Sequence, residues 1–143
     1  MSVSLNLSTI LVPTKETVAE FPGYPDLKVT LSFLSREEIV KLRKKATKTK
    51  FDRKTRQPID EVDDDLFLEL YVSTIVKGWT GFKFKYLTQL MPVDASGIKN
   101  LDDELEYTPE NALVLMKNSP DFDSFVTETT SDLQNFTKPS STK

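Results

Sequence analysis

The sequence predicts a mainly α fold, a compact helical domain of four to five helices with a small N-terminal β element. Three observations carry that reading. Helix starts with local capping signals recur at Ser35, at Thr108-Pro109 and at Ser119-Pro120. Apolar residues return at helical spacing along 66–75 and again along 112–136. Period-two alternation without a helical competitor is confined to Val3, Leu5 and Leu7 and to Leu27, Val29, Leu31 and Phe33.

Taken in order, residues 1–25 read as one short strand followed by an irregular arm, because Pro13, Pro22, Gly23 and Pro25 follow the first alternation. The second alternation predicts a half-buried strand, for which the N-terminal strand is the available partner. Ser35 with Glu38 forms a capping-box pattern, and Leu34 is placed to staple onto Ile39. Ile39, Leu42 and Ala46 share one face of that helix, while Lys41, Lys44, Lys45 and Lys48 occupy the rest and its end, where cations complement the helix dipole. Residues 49–58 lack helical periodicity and predict a loop or small hairpin. Asp60, Glu61, Asp63, Asp64 and Asp65 then crowd where a helix N-terminus favours negative charge. Leu66, Phe67, Leu70, Tyr71, Thr74 and Ile75 form the stripe of a central helix that Gly78 is expected to stop, with Trp79 packing back over its end.

Phe82, Phe84 and Tyr86 alternate, yet Tyr86, Leu87 and Leu90 fit a helix, and a short helix is the favoured reading. Residues 92–107, with Gly97 and the acidic Asp102, Asp103, Glu104 and Glu106, read as an exposed connector. Thr108 and Ser119 then cap two helices, the last carrying Phe122, Phe125, Val126, Thr129, Leu133 and Phe136 on one stripe. The expected organisation is an arm over 1–25, a helical domain over 26–136, and a disordered tail over 137–143. No internal repeat is visible.

Composition narrows the function. Of 143 residues 38% are hydrophobic and 29% charged, ordinary for a soluble domain, and the net charge of −3 gives no bulk attraction to nucleic acid or anionic lipid. No apolar run has the length to span a bilayer and no secretory leader pattern opens the chain, so a cytoplasmic location and no membrane partner are expected. With no Cys and no His, disulfides, thiolate or imidazole catalysis and Cys-based zinc sites are excluded. No cofactor motif is present, since the four glycines (Gly23, Gly78, Gly81 and Gly97) form no phosphate loop.

Three features invite a functional reading against a plainer one. The basic block 36–56, with Lys41, Arg43, Lys44, Lys45, Lys48, Lys50, Arg53 and Lys54, holds enough charge for phosphate contacts, but a solvated face balanced by the acidic cluster is the favoured account. A third use is self-association, Lys44, Lys45 and Lys48 of one subunit meeting Asp63, Asp64 and Asp65 of the next. The acidic run lacks the alternating order of a calcium loop and reads as helix-start charge. Tyr71, Trp79, Phe82, Phe122, Phe125, Leu133 and Phe136 are candidate partner or subunit contacts, with core packing as the competing account.

The segments Phe21-Pro22-Gly23, Leu31-Ser32-Phe33-Leu34-Ser35-Arg36-Glu37-Glu38, Thr55-Arg56-Gln57-Pro58, 63–70, Lys77-Gly78-Trp79-Thr80-Gly81, Glu106-Tyr107-Thr108-Pro109-Glu110-Asn111-Ala112 and Leu133-Gln134-Asn135-Phe136 stand in an order that resembles the tail assembly chaperones of long-tailed bacteriophages. The resemblance spans roughly 21–136. It implies a protein without enzymatic activity that self-associates, keeps the tape-measure protein soluble, helps recruit the tail-tube protein, works in the host cytoplasm and is absent from the mature virion. No catalytic or binding residue is carried over by it. A structural virion protein such as a tail-completion subunit is the alternative. A small nucleic-acid-binding regulator using the 36–56 block stands behind that, and an enzyme working through a carboxylate pair is more distant still.

Overall fold

The structure, a computed structural model, describes residues 6–10 and 14–132. Its elements are α1 (Leu7–Ile10), β1 (Thr14–Glu20), β2 (Lys28–Leu34), α2 (Arg36–Lys45), β3 (Thr47–Asp52), β4 (Gln57–Val62), α3 (Asp64–Ile75), β5 (Val76–Thr80), α4 (Phe84–Leu90), a 3-10 turn at Ala95–Gly97, α5 (Pro109–Asn118) and α6 (Pro120–Ser131). The fold is therefore mixed α/β rather than mainly α. The described residues form a three-stranded antiparallel sheet in the order β1-β2-β5 and a separate β3-β4 hairpin.

The expected strand at 27–33 is present as β2, but its first partner differs. Strand β1 lies inside the segment read as an irregular arm and pairs with β2 from Thr14↔Leu34 to Glu20↔Lys28. Val3 and Leu5 of the expected N-terminal strand lie outside the described residues, and Leu7 belongs to a short helical turn. On its other edge β2 pairs with β5, a strand that the sequence did not announce. Helix α3 ends at Ile75 and the chain becomes extended at Val76 with no intervening loop, so Gly78 is a strand residue and not the helix stop. The ladder shifts register between Thr30 and Leu31, stepping from Gly78 to Val76, and Lys77 turns to solvent.

Other expectations match the elements found. Ser35 Oγ accepts the Glu38 amide at 3.3 Å, Thr108 Oγ1 the Asn111 amide at 2.9 Å, and Ser119 Oγ the Phe122 amide at 3.1 Å. Each satisfies a helix-start donor that would otherwise lack a partner within the helix. In the capping-box pattern Glu38 turns instead to Lys41, at 3.2 Å. Helix α4 is where a short helix was expected, and it has no side-chain cap. Its first amides are met by backbone carbonyls of the following connector: Phe84 donates to Asp103 and Lys85 to Leu101, both at 2.9 Å, while Leu105 donates back to Phe82 at 2.7 Å. Residues 101–105 thus lace onto the start of α4 rather than hanging free.

The core lies between the sheet and helices α3, α5 and α6. Leu27, Val29, Leu31, Val76, Phe82, Phe122 and Val126 are fully buried there. Burial of an aromatic side chain such as Phe82 or Phe122 is worth about 2–3 kcal/mol. The loop 21–27 is fastened to this core from outside. Asp26 Oδ2 accepts from Lys83 Nζ and from the Tyr86 hydroxyl, each at 3.3 Å. Gly81 makes that closure possible, since its φ is +69° and a Cβ would stand 1.9 Å from the Asp26 carbonyl oxygen.

Gly81→Ala is expected to cost more than about 3 kcal/mol of stability, combining a left-handed backbone with a backbone clash. Urea denaturation of the two proteins, compared at constant m-value, measures it.

Candidate partner-binding surfaces

Trp79 sits on β5 with only 8% of its surface exposed. Its indole N–H donates to the Leu105 carbonyl at 2.9 Å, and its ring stands edge-on to Tyr107 and Phe82 at 5.0 and 5.1 Å and to Phe122 at 6.2 Å. The Tyr107 hydroxyl donates to the Val76 carbonyl at 2.6 Å, tying the connector to the same strand. Trp79, Phe82 and Phe122 therefore meet one another inside the domain, and this face offers a partner little surface. The sequence signal was the aromatic spacing. What it lacked was the carbonyl of Leu105, 26 residues away.

Tyr71 and Phe125 are placed differently, both half-buried at the domain surface. Tyr71 stacks on Phe67 at 5.9 Å, and the Arg43 guanidinium lies 5.3 Å from the Phe67 ring centre. Burial pushes the Tyr71 phenol up, and a hydrogen bond with the Thr130 side chain partly offsets that. Phe125 packs 4.6 Å from Phe21 at the floor of an open cleft of about 750 Å³ between β1 with its following turn and α6. Leu133 and Phe136 lie outside the described residues.

The charged candidates assemble around the hairpin. Strands β3 and β4 pair from Thr47↔Val62 to Asp52↔Gln57, and the Asp63 amide closes their base by donating to the Ala46 carbonyl at 2.8 Å. Asp60 and Glu61, expected at a helix start, are β4 residues; only Asp63, Asp64 and Asp65 belong to the start of α3. Lys48 and Lys50 answer acids of their own chain, Lys48 to Asp63 at 3.4 Å and Lys50 to Glu61 at 2.7 Å. Lys44 and Lys45 at the end of α2, and Asp64 and Asp65 in the first turn of α3, are exposed. Beyond the strands the turn carries Arg53, Lys54 and Arg56, all exposed, with Arg56 at φ 58°. Phe51 and Ile59 on the strands are 65% and 46% exposed. The hairpin is thus an arm with two uncovered apolar side chains and a basic tip. Sequence reasoning placed the arm but left out Phe51 and Ile59, which stand among polar neighbours and which the register sets on opposite faces, Phe51 across from Pro58 and Ile59 across from Lys50.

Among the described residues no group of three or more acidic side chains is arranged to hold a metal ion, and no helix is long and apolar enough to cross a membrane. The family model described as "YdaY prophage protein" matches residues 33–143. No curated protein and no solved structure matches the chain.

The base of the arm responds to acid. The Leu66 amide, donating to Asp63 Oδ1 at 3.1 Å, holds the Asp63 carboxyl below the ordinary value of 3.8, and Lys48 adds to it against slight burial. A carboxyl whose pKa falls on folding contributes stability above its unfolded pKa, and that contribution is lost as pH drops through the folded value. Asp63→Asn keeps a capping oxygen without the titration. Thermal melts from about pH 5 to about pH 2 are therefore expected to show a smaller acid loss in Asp63→Asn than in the parent.

Proposed function

The chain belongs to the YdaY prophage protein family, and on that premise we propose that it is a phage tail assembly chaperone, working in the host cytoplasm without catalysis. In this reading it self-associates, holds the tape-measure protein soluble, helps bring tail-tube subunits to it, and leaves before the virion is complete. The observation that carries the reading is the hairpin arm. A folded domain that extends Phe51 on one face and Ile59 on the other face of a stem stitched by the Lys50–Glu61 ion pair has apolar side chains to offer another chain without unfolding its own core. A tape measure needs such surface, because its long apolar helical stripes are uncovered until the tube forms around them. The exposed Lys44 and Lys45 against Asp64 and Asp65 supply the charges for subunit-to-subunit contact, while Lys48 and Asp63 already answer each other within the chain.

The basic turn supports one second reading. Arg53, Lys54 and Arg56 at the tip suit phosphate contacts, and a nucleic-acid-binding regulator would use them. Binding of that kind weakens steeply with added salt, whereas apolar capture through Phe51 and Ile59 does not.

Co-expression with the tape-measure protein of the same genome is expected to yield a soluble complex, sized by light scattering. Phe51→Ser with Ile59→Ser is expected to lower the recovered tape measure by at least about tenfold while changing stability by less than about 0.5 kcal/mol, as befits exposed positions. A tape measure that aggregates with the unaltered chain present would overturn the reading, as would detection of the chain in purified virions.

A further inference from the structure

We propose that the cleft between β1 and α6 is a peptide-docking site, which takes an extended segment of another protein as a fourth strand on β1, that segment carrying lysine or arginine side chains around a bulky apolar one. Among the described residues β1 is the outer strand of the sheet, so every second set of its backbone N–H and C=O groups points away from β2. Such an edge is normally blunted by a covering element. Here the neighbour is α6, standing off across an open cleft of about 750 Å³.

The two walls supply different parts of the recognition. From β1 comes a row of main-chain hydrogen bonds, which is indifferent to sequence and favours an extended chain. Phe21 and Phe125, with rings 4.6 Å apart, make the apolar floor at one end. Charge comes from Asp121 and Glu128, both exposed and both lining the cleft from one face of α6. Among the described residues no lysine or arginine lines it, and the sequence of α6 has no cation at all. Glu20 borders the cleft, but its side chain shares a sheet face with Lys28, its ladder partner, away from the face on which Phe21 meets α6. The two carboxylates of α6 that face the cleft are without a cation there and are relieved by a cationic guest. An acidic or uncharged strand would gain the same backbone bonds without that relief, so the site selects basic segments. The inference does not depend on the tail-assembly reading, and its test contains no phage protein besides this chain.

The probe is a fluorescein-labelled synthetic heptapeptide alternating lysine with valine around one phenylalanine, compared with its counterpart in which glutamate replaces lysine. Fluorescence anisotropy with the full chain is expected to show the lysine peptide binding at least about tenfold tighter, the difference shrinking with added salt. Asp121→Lys with Glu128→Lys is expected to abolish the preference, Asp121→Asn with Glu128→Gln to reduce it, and Ser124→Trp to exclude both peptides. Hydrogen exchange of the amides of residues 14–20 is expected to slow on binding, which distinguishes strand addition from loose ionic attraction. Equal affinity for the two peptides would overturn the proposal, as would unchanged exchange in β1 or a preference surviving charge reversal in correctly folded variants. So would exclusion of peptide by this chain's own residues 133–143, or by a second copy that light scattering shows leaving on charge reversal.

Discussion

The fold depends on where the indole of Trp79 finds its hydrogen bond. A Trp N–H buried without an acceptor would cost about 1–3 kcal/mol, so the acceptor must be brought to it. Here it is the Leu105 carbonyl, which holds the connector 101–107 against β5. That one bond sits at a crossing of three chain segments: the strand that carries Trp79, the connector, and α6 through Phe122. Once the connector lies there, its carbonyls at 101 and 103 are in position to cap α4, which brings no side-chain cap of its own. Tyr107 then closes the same stretch onto Val76. The caps at Thr108 and Ser119 start their helices from an anchored strap, which fixes how α5 and α6 approach the sheet.

The helices were legible because their signals are local. Ser35, Thr108 and Ser119 each satisfy an amide three residues away, a distance that sequence spacing expresses directly. Two of the three strands of the main sheet were not, for two different physical reasons. In β1 the residues Thr14–Glu20 carry little apolar alternation, since this edge strand is exposed along one face and takes its conformation from β2. In β5 the apolar residues continue the stripe of α3 without a break, and the helix turns into strand at Val76 because β2 offers a ladder there. A run that satisfies both periods locally is decided by a partner more than forty residues earlier in the chain.

The candidate surfaces divide along the same line. Of the aromatic residues chosen for their spacing, Trp79, Phe82 and Phe122 are interior because they complete one another, while Tyr71 and Phe125 stay half-buried. The charged residues gather at the base of the hairpin, where Lys48 and Lys50 meet acids of their own chain, partners whose placement only the fold supplies. Phe51 and Ile59 escaped notice since a polar context usually signals a loop. The cleft beside β1 had no sequence signature, being made by an edge and a helix about a hundred residues apart.

The bond from Asp63 to Ala46 uncouples the length of the arm from the rest of the fold. It brings the two ends of the 47–62 excursion side by side, so the ends of α2 and α3 are joined across one hydrogen bond whatever lies between them. Rungs added to or deleted from the hairpin in pairs leave that junction and the core untouched. Among the described residues the arm is therefore the stretch most open to insertion, deletion or exchange, with the sheet and the Trp79 crossing left fixed.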